Sequence, residues 1–412
     1  MVDSEGPNSD VKSMFHAGVH GHHPVMDDSP LLLTGATGFL GMELLARYLE
    51  RTDRTVYALV RGSDDDETQA RLDAAVARML PDPGSYAGRA IAVRGDVTSP
   101  ALGMPPRRRA KLAAEVGEIV HAAASVSFAL PLDESRAINV RGTEQVLQFA
   151  ELANRRGDGL RRLSYVSTAY VAGDHRGLFR EDDLDVGQRF RNAYEQSKFE
   201  AETLVRRHFD RLPIQIFRPS IVVGEADTGW TPAFNVIYWP LKAFARGAYT
   251  ALPARRRSPV DVVPVSYVAD AIFALSQLEE TGRTYALAAG TRASSVGEML
   301  ELSAEYFRMR RPRAIPPALY ERVVHPLLLR RSEGKRRKAL AASEVFFPYF
   351  AMRVHYDTTN ARAGLSGTDV TVPPLPDYFG RLMDYAVAVD WGRAQDQRDR
   401  LTATTRRPPL SV

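Results

Sequence analysis

Thr34-Gly35-Ala36-Thr37-Gly38-Phe39-Leu40-Gly41 sets three glycines at three-residue intervals. An apolar Leu31-Leu32-Leu33 leads into it, and Leu44, Leu45, Tyr48 and Leu49 then recur on one helical face. Strand, glycine turn and helix, in that order, is the setting in which this spacing carries chemical meaning. Gly35 permits the tight turn. Gly38 lets a pyrophosphate approach the backbone at the positive end of the helix. Gly41 lets helix and strand lie close together. An isolated glycine turn before a helix need bind nothing; with these flanks it points to a dinucleotide.

The alternation continues down the chain. Thr55-Val56-Tyr57-Ala58-Leu59-Val60 reads as a second strand ending in Arg61-Gly62. In NAD-type folds a carboxylate at this tip grips the ribose hydroxyls. Here Arg61 occupies it and Arg71 follows on the next helix. Two guanidiniums suit a 2′-phosphate, so NADPH is expected over NADH. Asp64-Asp65-Asp66-Glu67 lies between them and counts against that preference, unless it is a solvated helix start. Ala90-Ile91-Ala92-Val93-Arg94 is a third strand, followed by Gly95-Asp96-Val97. Asp96 either takes the adenine amino group or caps the next turn. The fourth strand, from Glu118, ends in Ala122-Ala123-Ala124, small residues that leave room for the cofactor's ribose and nicotinamide or merely allow tight packing. His121 within it reads as a satisfied core histidine. A long helix over 133–153, a fifth strand ending in Ser167-Thr168, a helix over 193–209 and a sixth strand, Ile214-Gln215-Ile216-Phe217-Arg218-Pro219, complete the series. The class is α/β: a Rossmann-type, doubly wound parallel sheet with a smaller, mainly helical C-terminal substrate domain.

Tyr194 and Lys198 stand four apart on a predicted helix and share a face. An ammonium beside a phenol favours the phenolate, and the lysine also suits the nicotinamide ribose. With the Thr168 hydroxyl, Tyr194 forms a set able to bind a carbonyl oxygen during hydride attack. A lone Tyr-x-x-x-Lys is common on solvated helices; behind a glycine fingerprint it reads as catalytic.

Composition narrows the remaining classes. With no cysteine among 412 residues, disulfides and thiolate chemistry are excluded, and a cytoplasmic location is expected. No stretch suits a bilayer span, no secretory leader is visible, and no nucleic-acid motif accompanies the net charge of +4. Residues 1–29 read as a disordered tail; its His16, His20, His22 and His23 are better explained by solvation than by metal binding. The divisions expected are 30–225 for the NADP-binding domain, 226–392 for the substrate-binding and lid region with 260–290 returning to the core, and 393–412 for a polar tail. Val262-Val263-Pro264-Val265 reads as a short strand, 268–278 as a helix opening beside Asp270, and 295–350 as helical. Asp357 and Asp377 are expected to cap helices. Phe234 and Tyr238, in an aromatic stretch over 234–244, are either the wall of an acyl site or ordinary core. Ser125 and Ser127, past the fourth strand, are further candidate substrate contacts. Lys335-Arg336-Arg337-Lys338 fits a carrier protein, a coenzyme A phosphate, an anionic membrane surface or a solvated helix face.

These motifs resemble the extended short-chain dehydrogenase/reductases over about residues 31–287. In detail they are similar to the thioester-reductase branch: the terminal reductase domains of carboxylic acid reductases and peptide synthetases, and the fatty acyl-CoA reductases. Leu33 through Gly41 is similar to its fingerprint, with Gly35, Thr37, Gly38, Phe39 and Leu40 as cofactor contacts. Ala58-Leu59-Val60-Arg61 resembles its second strand, Gly95-Asp96-Val97 its adenine loop, and Tyr165-Val166-Ser167-Thr168-Ala169-Tyr170-Val171 the segment holding the catalytic threonine. Tyr194-Glu195-Gln196-Ser197-Lys198 resembles the catalytic pair, and Phe217-Arg218-Pro219-Ser220, with Ile221, the strand beside the nicotinamide. Ser266 stands where the family often has an acidic residue. The resemblance implies hydride transfer from NADPH to an acyl thioester on coenzyme A or a separate carrier protein, giving an aldehyde or, after a second transfer, an alcohol. A nucleotide-sugar epimerase or dehydratase, a hydroxysteroid-type dehydrogenase and a non-catalytic NADP-binding scaffold are the competing classes; Arg255-Arg256-Arg257 is the feature that suits a nucleotide diphosphate.

Overall fold

The computed structural model describes residues 28–394 except 235, 335, 336, 338, 339, 342 and 343. The expectations for the N-terminal tail with its four histidines and for the polar tail lie almost wholly outside those residues. So does the Lys335–Lys338 cluster, of which Arg337 alone is described.

Seven parallel strands form the central sheet: β1 (Leu31–Thr34), β2 (Val56–Val60), β3 (Ala90–Arg94), β4 (Glu118–His121), β5 (Arg162–Val166), β6 (Ile214–Pro219) and β7 (Arg283–Leu287). Their spatial order is 3-2-1-4-5-6-7. The order reverses between β1 and β4, and a crevice opens there beyond the carboxyl ends. β1 is buried on both faces, which is why it reads as an unbroken leucine run. Leu31 and Leu33 enter one core with Val120 and Phe217; Leu32 enters the opposite one with Ile119 and Leu163.

Helices cover both faces. Helix α1 (Phe39–Arg51) lies against α8 (Val265–Leu275) on the first core, and α5 (Gly142–Asn154) and α6 (Ala193–Arg206) line the second. Asp64 caps α2 (Asp65–Met79) by accepting from Glu67 N at 2.8 Å. Asp65 pairs with Arg108 at 2.9 Å, on α3 (Pro106–Glu115). The acidic run is therefore a helix start, where carboxylates meet the positive end of the dipole.

Four expectations need correction. The helix over 133–153 is α4 (Leu132–Arg136), a π-turn (Ala137–Arg141) and α5. Helix α8 begins at Val265, directly after Pro264, so Asp270 lies within it and accepts from Arg47 Nε at 3.1 Å. The region 295–350 is helical only in part: α9 (Val296–Tyr306) ends before a proline-rich stretch whose Arg313–Ile315 is a short strand paired with Ala251–Pro253. The last helix, Leu375–Ala388, starts behind Pro374, and Asp377 sits in its first turn rather than at its cap. Asp357 does bond the start of Thr359–Gly364, accepting from Thr359 N at 3.1 Å.

Candidate active site

Gly35 adopts φ +78° immediately after β1, and Gly38 N donates to its carbonyl at 2.8 Å. A Cβ on Gly35 would lie 2.8 Å from Ala123 N, and one on Gly41 would lie 1.9 Å from Gly35 O. The turn is thus pressed against both β4 and the first turn of α1, and a side chain would fill that space. Beside it opens a cleft of about 470 Å³. It is lined by Gly35, Thr37 and Gly38, by Arg61 and Arg71, by Asp96 and Val97, and by Ala122, Ala123, Ala124 and Ser125. An open cradle of backbone with two guanidiniums at one side fits a phosphorylated dinucleotide.

Most cofactor candidates therefore meet in one place. Phe39 and Leu40 follow Gly38 as the first residues of α1, with their side chains packed against the core. Pro219 ends β6, and Ser220 and Ile221 line a different cavity, described below. Arg71 Nη1 donates to Arg61 O at 2.7 Å, which holds the two arginines together. Asp96 accepts from Thr98 N at 2.9 Å while its residue lines the cleft, so it caps a turn at the cleft's edge. His121 is buried between Thr34 Oγ1 (2.7 Å) and Thr143 Oγ1 (3.1 Å). Burial, with the Lys198 charge, pushes it down to about 3, the behaviour of a neutral core histidine.

Thr168, buried just past β5, accepts from Tyr170 N at 3.2 Å, and its hydroxyl eases the burial of the Tyr194 phenol. Tyr194 opens α6, whose cap Asn192 accepts from Glu195 N at 3.0 Å. Lys198, one turn on, donates to Tyr165 Oη at 2.9 Å and to Val166 O at 2.8 Å. The expected lowering of Tyr194 by Lys198 is not found. Burial raises Tyr194 to about 12, partly relieved by Thr168, and burial lowers Lys198 to about 7. The ammonium is spent on Tyr165 and the β5 carbonyl, and desolvation dominates both groups.

Three supporting groups carry no motif that would have marked them. Asn139, in the π-turn, accepts from Ser125 N at 2.8 Å and donates to Ser197 Oγ at 2.9 Å, tying the cleft wall to α6. Glu202 accepts from Ser167 Oγ at 2.6 Å and pairs with Arg218 (2.6 Å) and Arg206 (3.0 Å). Burial pushes the Glu202 carboxyl up, but the two guanidiniums more than offset it and hold it low. Phe128 lies on Tyr194 (centroids 5.6 Å) and stacks on Tyr349 (5.4 Å).

Tyr349 belongs to a narrow apolar cavity of about 90 Å³. Tyr170, Ile221, Ile237, Leu241, Phe244 and Met352 line it too. Phe234 and Tyr238 do not. Tyr238 is core, accepting from Gly224 N at 3.0 Å, and Phe234 packs edge-on against it at 5.0 Å. The wall comes from their neighbours on the other side of α7 (Tyr238–Ala245) and the turn before it. Ser127 lines neither space; its hydroxyl accepts from Ala129 N at 3.3 Å. Thr168, Tyr194 and Lys198 line neither space directly. They are joined to the dinucleotide cleft through Asn139 and Ser125, and to the apolar cavity through Phe128 and Tyr349.

Residues 33–272 match the family model described as male sterility protein, an NAD-binding domain. The chain belongs to this family. Membership brings the oxidoreductase class with an NAD(P)-binding fold. The chain is similar to a linear gramicidin synthase polypeptide of Brevibacillus parabrevis, at 32% identity over 257 residues. It is also similar to carboxylic acid reductase of Mycobacterium marinum, at 31% over 282 residues. Each match covers 61% of this chain, which spans 5% and 23% of those relatives' lengths. Among solved structures, the terminal R domain from the myxalamid PKS-NRPS pathway superposes with a TM-score of 0.76 at 29% identity, over 90% of this chain and 94% of that one. Among the described residues no helix is long and apolar enough to cross a membrane.

Proposed function

We propose that the chain reduces an acyl thioester to an aldehyde with NADPH as reductant, the acyl group arriving on coenzyme A or on a separate carrier protein in the cytoplasm. The observation that carries this reading is the placement of Thr168, Tyr194 and Lys198, buried at the carboxyl ends of the sheet and tied through Asn139 and Ser125 to the dinucleotide cleft and through Phe128 and Tyr349 to an apolar cavity. Kinship with carboxylic acid reductase and with a synthetase R domain supports a carried thioester as substrate.

The residues divide the work. The Gly35–Gly38 backbone would hold the pyrophosphate, and Arg61 with Arg71 the 2′-phosphate. When bound, the dinucleotide supplies a hydride for the carbonyl carbon. Thr168 and Tyr194 donate hydrogen bonds to the oxygen as its charge develops, in a site from which burial excludes competing water. Tyr194, raised to about 12, keeps its proton at neutral pH and is able to give it to that oxygen. When the carbonyl re-forms, the carbon–sulfur bond breaks and thiol and aldehyde part. Lys198 fixes Tyr165 and the end of β5 from the same face of α6.

NADPH oxidation against a panel of acyl-CoA, acyl-carrier and aldehyde substrates tests the proposal. Turnover of a thioester is expected, and the aldehyde arm separates two-electron from four-electron reduction. Turnover of a nucleotide sugar with NAD retained through purification would overturn it in favour of an epimerase.

A further inference from the structure

A third cleft, of about 360 Å³, opens where Arg176–Phe179 pairs in parallel with Arg353–Tyr356. Arg176, Arg191, Arg255 and Arg353 line it, with Asp174 and His175. The register sets Arg353 directly beside Arg176. Like charges on neighbouring strands repel unless something answers them. The nearby carboxylates are already engaged: Asp174 accepts from Arg189 N (2.8 Å) and Nε (3.0 Å), and Glu195 takes Arg191 at 3.1 Å. Among the described residues no carboxylate pairs with Arg176, Arg255 or Arg353. Pro316, Pro317 and Pro348 stiffen the walls. Such a site suits an anion with several acceptor oxygens, which planar guanidiniums grip bidentately.

Its position gives the anion a chemical context. Met352 lines both this cleft and the apolar cavity. The Arg191 guanidinium lies 5.5 Å from the ring centre of Tyr349, which lines the cavity and stacks on Phe128 against Tyr194. A charged mouth thus adjoins a narrow, mainly apolar cavity whose Tyr349 stacks on Phe128 beside Tyr194.

We propose that this arginine cleft binds the phosphoryl group at the far end of a pantetheine thioester, with the uncharged arm running along the cavity toward Thr168 and Tyr194. The arm and its thioester rest on the function proposed above; the anion site rests on the arginines alone. The phosphoryl group is common to coenzyme A and to a carrier protein's prosthetic arm.

The test is calorimetric binding of 4′-phosphopantetheine, coenzyme A and pantetheine, with the glycine-turn cleft first saturated with NADPH. Wild type should bind 4′-phosphopantetheine about tenfold or more tightly than pantetheine at low salt, as expected for charge-assisted bonds. That advantage should shrink at high salt. In an Arg176→Gln/Arg353→Gln variant with an unchanged melting temperature it should fall to about twofold or less. Coenzyme A matching 4′-phosphopantetheine means that the shared phosphoryl alone is recognised; tighter coenzyme A adds recognition of its nucleotide. Equal wild-type binding of 4′-phosphopantetheine and pantetheine overturns the proposal, and so does an advantage that survives in the variant. The wild-type comparison stands even if the variant fails to fold. Phosphoryl preference without thioester reduction would sink the catalytic proposal alone; reduction without that preference would sink this one.

Discussion

Burial moves Tyr194 and Lys198 in opposite directions, and the lysine's shift has a measurable consequence. Lys198 falls from 10.5 to about 7. Between those values the unfolded chain holds a proton that the folded chain has lost. Stability from this group therefore rises with pH across that window, and the cost of the buried ammonium is fully present below about 7. Lys198→Met removes the cost together with two hydrogen bonds that impose a constant offset. Urea unfolding should show the variant gaining on wild type at pH 6.5 relative to pH 9.5; a pH-independent difference would contradict the shift. Arg61 at the β2 tip and Arg71 on α2 make a second prediction. Arg61→Ala/Arg71→Ala should raise the KM for NADPH by about tenfold or more and leave that for NADH nearly unchanged, since only the former carries the 2′-phosphate that two charge-assisted contacts would hold. Steady-state kinetics with both cofactors decides it.

Between the sheet and the C-terminal segment, one carboxylate acts as a clasp. Glu181 is buried, accepts from Ala286 N at 2.8 Å and Ala361 N at 3.1 Å, and also bonds Asn360 N. It joins the loop after Arg176–Phe179 to β7 and to the helix Thr359–Gly364. Burial raises it to about 7. Glu181→Ala leaves buried N–H groups without an acceptor and should cost about 3 kcal/mol, read as a lower urea midpoint. Legibility varied element by element for physical reasons. β3 and β6 appear at the bounds read from sequence because apolar runs end there at turn residues. The π-turn was hidden because one extra residue per turn barely disturbs a 3.6-residue period. β7 was missed: its run, Arg283-Thr284-Tyr285-Ala286-Leu287, is half polar, and its partner β6 lies far away in sequence. Composition favoured helix across 295–350, but Pro312, Pro316 and Pro317 interrupt it.

Across the whole molecule, the parts of the site that depend on local chain geometry were readable and those that depend on long-range packing were not. The glycine turn, the arginine tip and the Tyr194–Lys198 pair each lie within one element and its flank. The link from Tyr194 to the cavities needs Phe128, Tyr349 and Met352 together, from segments more than 200 residues apart, and for Phe234 and Tyr238 wall and core stayed open because helical phase alone does not say which face meets a cavity. Hydride transfer to a thioester carbonyl held by Thr168 and Tyr194 is the step on which the proposed reaction depends. Its most direct test uses NADPH deuterated at the transferred position, with mass spectrometry of the product, in wild type and Tyr194→Phe. Deuterium should appear on the former carbonyl carbon, at a rate about 100-fold or more lower in the variant, with cofactor affinity changed by about threefold at most. Deuterium transfer at an equal rate in the variant, or none to any thioester in wild type, would contradict it.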